Sequence, residues 1–168
     1  MLRELHEELG ISADYGRSND LPAFREAADL VDVGPNLVGR MQRLAPHAAR
    51  QWRAMVGAAE QDSITLIIVS GYRSIEYQAA LIRKKISTGQ VIDEILSVNA
   101  APGHSEHHTG RAIDIATPGS PPLTEAFEST EAFGWLGENA NRFGFSMTYP
   151  RDNRWGMAYE PWHWCQKG

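Results

Sequence analysis

Apolar residues recur along this chain at two spacings, one helical and one extended. Leu2, Leu5 and Leu9 keep the helical spacing and predict a short amphipathic helix over residues 2–9. Residues 10–44 keep neither. Gly10, Gly16, Pro22, Gly34 and Pro35 punctuate them, and beyond a short strand expected near Leu37 and Val38 they read as an irregular wrap. Pro46 suits a first helical turn, and a helix is expected from there to about Gln61 with Trp52, Met55 and Ala59 on its buried stripe.

Residues 64–69, Ile-Thr-Leu-Ile-Ile-Val, are nearly all apolar or β-branched and predict a buried strand. The strand runs into Ser70-Gly-Tyr-Arg73-Ser74. Gly71 permits a tight turn there, and Ser74 can cap a helix that carries Ile75, Ala79, Ile82 and Ile86 on one stripe. That helix ends at Gly89, and a second is expected from about Val91 to Val98. Residues 100–110 form a loop with three of the six histidines. In the strand expected over 111–116, alternation sets Ala112, Asp114 and Ala116 on one face and Ile113 and Ile115 on the other. Phe133, Leu136, Ala140 and Phe143 mark a helix capped near Thr130 and stopped by Gly144. Phe145, Met147 and Tyr149 alternate as a strand, and a final strand is expected to deliver Glu160 and His163.

A length of 168 residues, 42% of them hydrophobic, suits one globular domain, with residues 1–45 as the wrap and 46–168 as the core. The net charge of −5 argues against a nucleic-acid partner, whose affinity would rest on a basic face. Arg83-Lys84-Lys85 falls where a helix ends and complements its dipole. The single cysteine, Cys165, excludes an internal disulfide and a paired-cysteine zinc site. No apolar stretch is long enough for a membrane span. The N-terminus is charged and lacks the apolar run of a signal peptide, so the chain as it stands is expected in the cytoplasm. An exported protein shorn of its leader would read the same, with a periplasmic or cell-wall location.

Chemistry concentrates in His104, His107, His108, Asp114, Glu160, His163, Cys165 and Arg73. Two imidazoles and a carboxylate suit a catalytic zinc that keeps one position open. A further carboxylate can take a proton from the attacking water, and an arginine can steady an oxyanion or hold a substrate carboxylate. Residue types alone leave His104, His107 and His108 equivalent.

The wider motifs separate them. Ser105-Glu-His107-His-Thr-Gly110-Arg-Ala112-Ile-Asp114 resembles the SxHxxGxAxD pattern of the zinc D-alanyl-D-alanine carboxypeptidases and dipeptidases, the VanY/VanX-like group. Glu160-Pro-Trp-His163-Trp resembles that family's EPWHW element, and Ser70-Gly-Tyr-Arg73-Ser74 with Gln78 its SGYRSxxxQ segment. The resemblance covers about Ile64 to Trp164. It implies zinc ligation by His107, Asp114 and His163, with Glu160 as catalytic base, Arg73 at the oxyanion, and Ser105 and Gln78 against the substrate. It also implies that His104 is a pocket-wall residue, that His108 orients by packing, and that Cys165 is no ligand because the set is already closed.

The fold implied is α+β, a small antiparallel sheet flanked by helices of the hedgehog/DD-peptidase type. The activity implied is a metallopeptidase that removes a terminal D-alanine from peptidoglycan stem peptides or precursors. L,D-carboxypeptidases, D-Ala-D-Ala dipeptidases and L-Ala-D-Glu endopeptidases share that centre. A zinc-binding module without turnover is the alternative from another class, and the presence of Glu160 speaks against it.

Overall fold

Ala112–Ala116 is the strand around which the molecule is built, as the computed structural model describing residues 1–17 and 20–167 shows. Counting along the chain it is β4, and all five of its residues are buried. β3 (Ile67–Ser70) flanks it on one side and β6 (His163–Gln166) on the other. β5 (Phe145–Met147) closes the sheet in the order β3-β4-β6-β5, every neighbouring pair antiparallel. Ile113 pairs with Trp164 and Asp114 with His163. Alternation therefore sends the first pair into the core and the second to the opposite face.

The apolar face packs on α2 (Pro46–Gln61) and α5 (Glu131–Asn139). Trp52, Met55, Ile113, Ile115, Leu136, Phe145 and Trp164 belong to one buried cluster there. Thr130 caps α5 by accepting the Phe133 N–H at 3.1 Å, and Gly144 ends the 3-10 turn that follows it at φ 76°. A second cluster, with Leu9, Ala79, Ile82 and Ile95, joins α1 (Leu2–Glu8), α3 (Ile75–Ser87) and α4 (Ile92–Val98). Ser74 caps α3 through the Tyr77 N–H at 3.0 Å. The α3 stripe differs from expectation at its ends: Gln78 is buried and Ile86 is 38% exposed, because only the first two turns of α3 meet this cluster. β3 starts at Ile67 rather than 64, since the Ile64 N–H still bonds the Ala59 carbonyl at the end of α2.

Residues 31–44 are not irregular. β1 (Val31–Pro35) and β2 (Met41–Leu44) form an antiparallel hairpin. Leu37 and Val38 lie in its turn, 51% and 84% exposed, not in a strand. The Asn36 side-chain oxygen accepts the N–H groups of Val38 and Arg40, and Gly39 takes φ 77°, so local turn chemistry outweighs the apolar pair. The residues that flank this hairpin back the histidine loop. Phe24 N–H donates to the Gly103 carbonyl at 2.7 Å, Ala27 to His108 at 2.8 Å and Ala45 to Gly110 at 2.8 Å. No helix among the described residues is long and apolar enough to cross a membrane.

Candidate metal centre

Two structural accidents of the sequence converge on the polar face of the sheet. Ser105 takes an extended backbone, and its Oγ accepts the His107 N–H at 3.3 Å, starting a 3-10 turn over Glu106–Thr109. Gly110 ends that turn at φ 65°, where a Cβ would stand 2.8 Å from the Ala45 nitrogen. His107 is thereby held over β4. Asp114 and His163 rise from adjacent positions on β4 and β6. One donor atom from each of His107, Asp114 and His163 lies within 4.8 Å of the others, and all three residues are buried.

Each ring is fixed by its second nitrogen. His107 Nδ1 lies 2.7 Å from the Gly71 carbonyl, which can only accept, so Nδ1 carries the proton and Nε2 faces Asp114 Oδ1 at 3.3 Å. His163 Nε2 lies 2.9 Å from Glu106 Oε2, which turns Nδ1 toward Asp114 Oδ1 at 3.2 Å. Burial and the nearby Arg73 charge push the His107 imidazole down to about 4, so it is a neutral donor near pH 7. Burial opposes ionisation of Asp114, yet His107 and Arg73 hold its carboxyl well below the usual range. Burial opposes it, but Asp114 and Glu106 raise the His163 imidazole to about 10, so a metal would displace its Nδ1 proton; two oriented rings and one ionised carboxylate then form a donor set that fits zinc with a position to spare.

Glu160 stands at the rim, its Oε2 3.8 Å from His163 Nδ1. It is not on the final strand. Residues three apart on a strand face opposite sides, whereas here the His163 N–H bonds back to the Glu160 carbonyl at 3.1 Å, and this turn brings both side chains to one side. Burial, reinforced by Asp114 and Glu106, raises the Glu160 carboxyl to about 7. Arg73 donates through Nε to Ser70 Oγ at 2.9 Å and through Nη2 to Asp114 Oδ2. Arg73 lines the same cleft of about 350 Å³ as Gln78, Ser105, Glu160 and the His107–Asp114–His163 group, and Trp162 and Tyr149 line it too. Gln78 donates to the Ala100 carbonyl at 2.8 Å, while its buried Oε1 has no hydrogen-bond partner among the described residues.

The other histidines have structural partners. His108 Nε2 accepts the Gly103 N–H at 3.0 Å and Nδ1 bonds the Arg73 carbonyl at 2.7 Å, so His108 holds the loop against the Arg73 backbone. His104 is not in the pocket wall. Its Nδ1 bonds the Pro22 carbonyl at 3.0 Å and its ring packs 5.2 Å from Tyr15, because Gly103 at φ 85° turns the chain outward before it. His6 joins this group through the Pro102 carbonyl at 2.7 Å and is partly buried. The Cys165 thiol is pushed up to about 12 by burial and by the charge of Glu106, which disfavours the thiolate a metal would need.

Sequence reasoning passed over Glu106 and Tyr149. Glu106 is 6% exposed. Burial would raise its carboxyl, but His163, Thr148 and Lys167 hold it down at about 2. The signal was available in one form: a buried ligand histidine uses one nitrogen on the metal and needs an acceptor for the other. Tyr149 packs its ring 4.9 Å from His163, and burial with the charges of Glu106 and Glu160 raises its hydroxyl further.

Residues 41–168 match the family model described as VanY, D-alanyl-D-alanine carboxypeptidase. The chain is 35% identical over 169 residues to a putative carboxypeptidase, YodJ, of Bacillus subtilis, covering 96% of this chain and 62% of that protein. It thus spans less than two thirds of that relative's length. Among solved structures, the LdcB LD-carboxypeptidase superposes with a TM-score of 0.77 at 34% identity, over 88% of this chain and 72% of its own. A Glu-to-Ala mutant of the vancomycin-resistance D,D-pentapeptidase VanY in complex with Zn(II) superposes with a TM-score of 0.68 at 29% identity, over 88% and 83%.

Proposed function

Since the chain belongs to the VanY family of D-alanyl-D-alanine carboxypeptidases, we propose that it hydrolyses the terminal D-Ala peptide bond of peptidoglycan stem peptides or their precursors. The observation that carries this reading is the buried His107–Asp114–His163 group with a carboxyl raised to about 7, that of Glu160, at its edge. His107 Nε2, Asp114 and His163 Nδ1 would hold a zinc ion, which when bound lends Lewis acidity to the reacting carbonyl and water. Glu160 takes a proton from the water as its oxygen attacks the carbonyl carbon, then delivers that proton to the departing D-alanine nitrogen as the C–N bond breaks. A carboxyl poised near neutrality suits both transfers. Arg73 is anchored by Ser70 and Asp114 and meets the carbonyl oxygen as charge builds on it. Ser105 and Gln78 face the peptide, and the Gln78 Oε1 offers an acceptor to a substrate N–H.

A second reading, cleavage of the L,D bond of a stem tetrapeptide, is favoured by the higher TM-score and identity to LdcB. Mass spectrometry of stem peptides incubated with zinc-loaded protein separates the two. Loss of one alanine from a pentapeptide ending in D-Ala-D-Ala is the expected result; cleavage of the tetrapeptide alone supports the L,D reading. Glu160→Ala should keep its zinc and lose turnover by about 10²–10⁴-fold. A zinc-loaded wild-type protein that cuts neither peptide would overturn the proposal.

A further inference from the structure

Glu106 has no place in the chemistry so far, yet it is a buried carboxylate with three side-chain partners. Its Oε2 accepts from His163 Nε2 at 2.9 Å and from Thr148 Oγ1 at 2.7 Å, and its Oε1 faces Lys167 Nζ at 3.2 Å. These partners come from the start of β6, the residue after β5 and the residue after β6. Glu106 itself sits one residue before His107. It lies behind His163, outside the lining of the cleft.

We infer that Glu106 is the positioning residue of the metal centre, fixing His163 so that Nδ1 is the ligand atom. The inference rests on the zinc reading above and deepens it. A free imidazole can present either nitrogen, and its ring can turn about the Cβ–Cγ bond. Here the carboxylate accepts a hydrogen bond from Nε2–H, which leaves Nδ1 turned toward Asp114 and His107 as the atom a metal would take in place of its proton. Thr148 and Lys167 in turn hold the carboxylate still, so its aim does not depend on the ring it orients. A carboxylate behind a ligand histidine also raises that ring's basicity toward a metal, and loss of such a partner typically weakens binding by about 10–100-fold. Because His107 is held by a backbone carbonyl, the two ligand rings are fixed by different means. Only that of His163 is itself a side chain.

Zinc affinity, measured by competition with a chromophoric chelator, tests this without any substrate. Glu106→Ala is expected to bind zinc about 10–100-fold more weakly than the wild type. Glu106→Gln, whose amide oxygen can still accept the Nε2 proton, should recover part of that loss. The visible spectrum of the cobalt(II)-loaded Glu106→Ala protein should shift, and the KM for peptide should stay near wild type. Circular dichroism confirms that each variant is folded, and if the alanine variant is not, the glutamine variant and its cobalt spectrum carry the test. Wild-type zinc affinity and an unchanged cobalt spectrum in either folded variant overturn the positioning role while leaving the zinc reading intact. A wild-type protein that binds no zinc overturns both.

Discussion

Gly71→Ala would test how the N-terminal hairpin reaches the metal centre. Gly71 is held on three sides. Its N–H donates to Gln42 Oε1 at 3.0 Å and its carbonyl accepts from His107 Nδ1 at 2.7 Å. An added Cβ would stand 2.6 Å from the Arg43 carbonyl oxygen and 3.2 Å from Leu44 Cδ2. Ordinary contact starts near 3.4 Å, so the two backbones must part by about 0.8 Å in a close-packed interior. No rotamer can relieve this, since the obstacle is backbone and already accepts the Tyr72 N–H at 2.8 Å. Overpacking of this kind costs about 1–3 kcal/mol. For a domain of this size that is a fall in Tm of roughly 2–12 °C. The same displacement draws the Gly71 carbonyl off His107, so zinc affinity should drop about 10-fold or more. Thermal unfolding in chelator reads the first effect, and chelator competition reads the second. Gly57→Ala, inside α2 with nothing within 4 Å of the new Cβ, is the control and should be neutral or slightly stabilising. A Gly71→Ala protein with wild-type Tm and wild-type zinc affinity would refute the reasoning.

Three further outcomes are expected. The rate kcat/KM should rise with pH as Glu160 ionises, with an apparent pKa at or below about 7 because a bound dication favours the carboxylate; a rate independent of pH down to 4 would remove Glu160 from the base role. Arg73→Lys should retain zinc yet lose about 10²–10³-fold in kcat, since a single nitrogen cannot stand in for the separate Nε and Nη2 donors that anchor the guanidinium on Ser70 and Asp114 beside a carbonyl oxygen; unchanged kcat would discard the oxyanion role. In chelator, stability should fall at both ends of the pH range. The Glu106 contribution is present above its ordinary 4.5 and lost as pH falls through about 2, while that of His163 is full below 6.5 and lost as pH rises through about 10; a Tm flat from pH 6 to 10 would contradict the His163 part.

The sheet and its ligand positions were legible where burial repeats in the sequence. Ile113 and Ile115 alternate with Asp114 over a run buried on both faces, and that pattern needs no knowledge of its partners. Likewise α2 begins at Pro46 and ends at Gln61 as its apolar stripe predicts. The β1–β2 hairpin was hidden because its strands are short, partly exposed, and interrupted by a register shift between Asp32 and Gly34. Glu160 was misplaced onto a strand because a period of two says nothing about a turn stabilised by a residue's own carbonyl. Glu106 was missed for a different reason. Its partners, Thr148, His163 and Lys167, lie 42, 57 and 61 residues away, and no local pattern encodes contacts at that distance.

The pairing of Asp114 with His163 across neighbouring strands also bears on where the chain can change length. One residue inserted into β6 would move a tryptophan to the polar face and a histidine into the core, ending ligation and packing together. The segments on either side carry no such constraint. Leu123 and the pair Met157 and Ala158 reach the cleft from the connections before α5 and after β5. Insertions and deletions there would reshape the cleft while the ligands kept their places. Substrate preference in this architecture can therefore diverge through loop length, with the reacting centre left as it is.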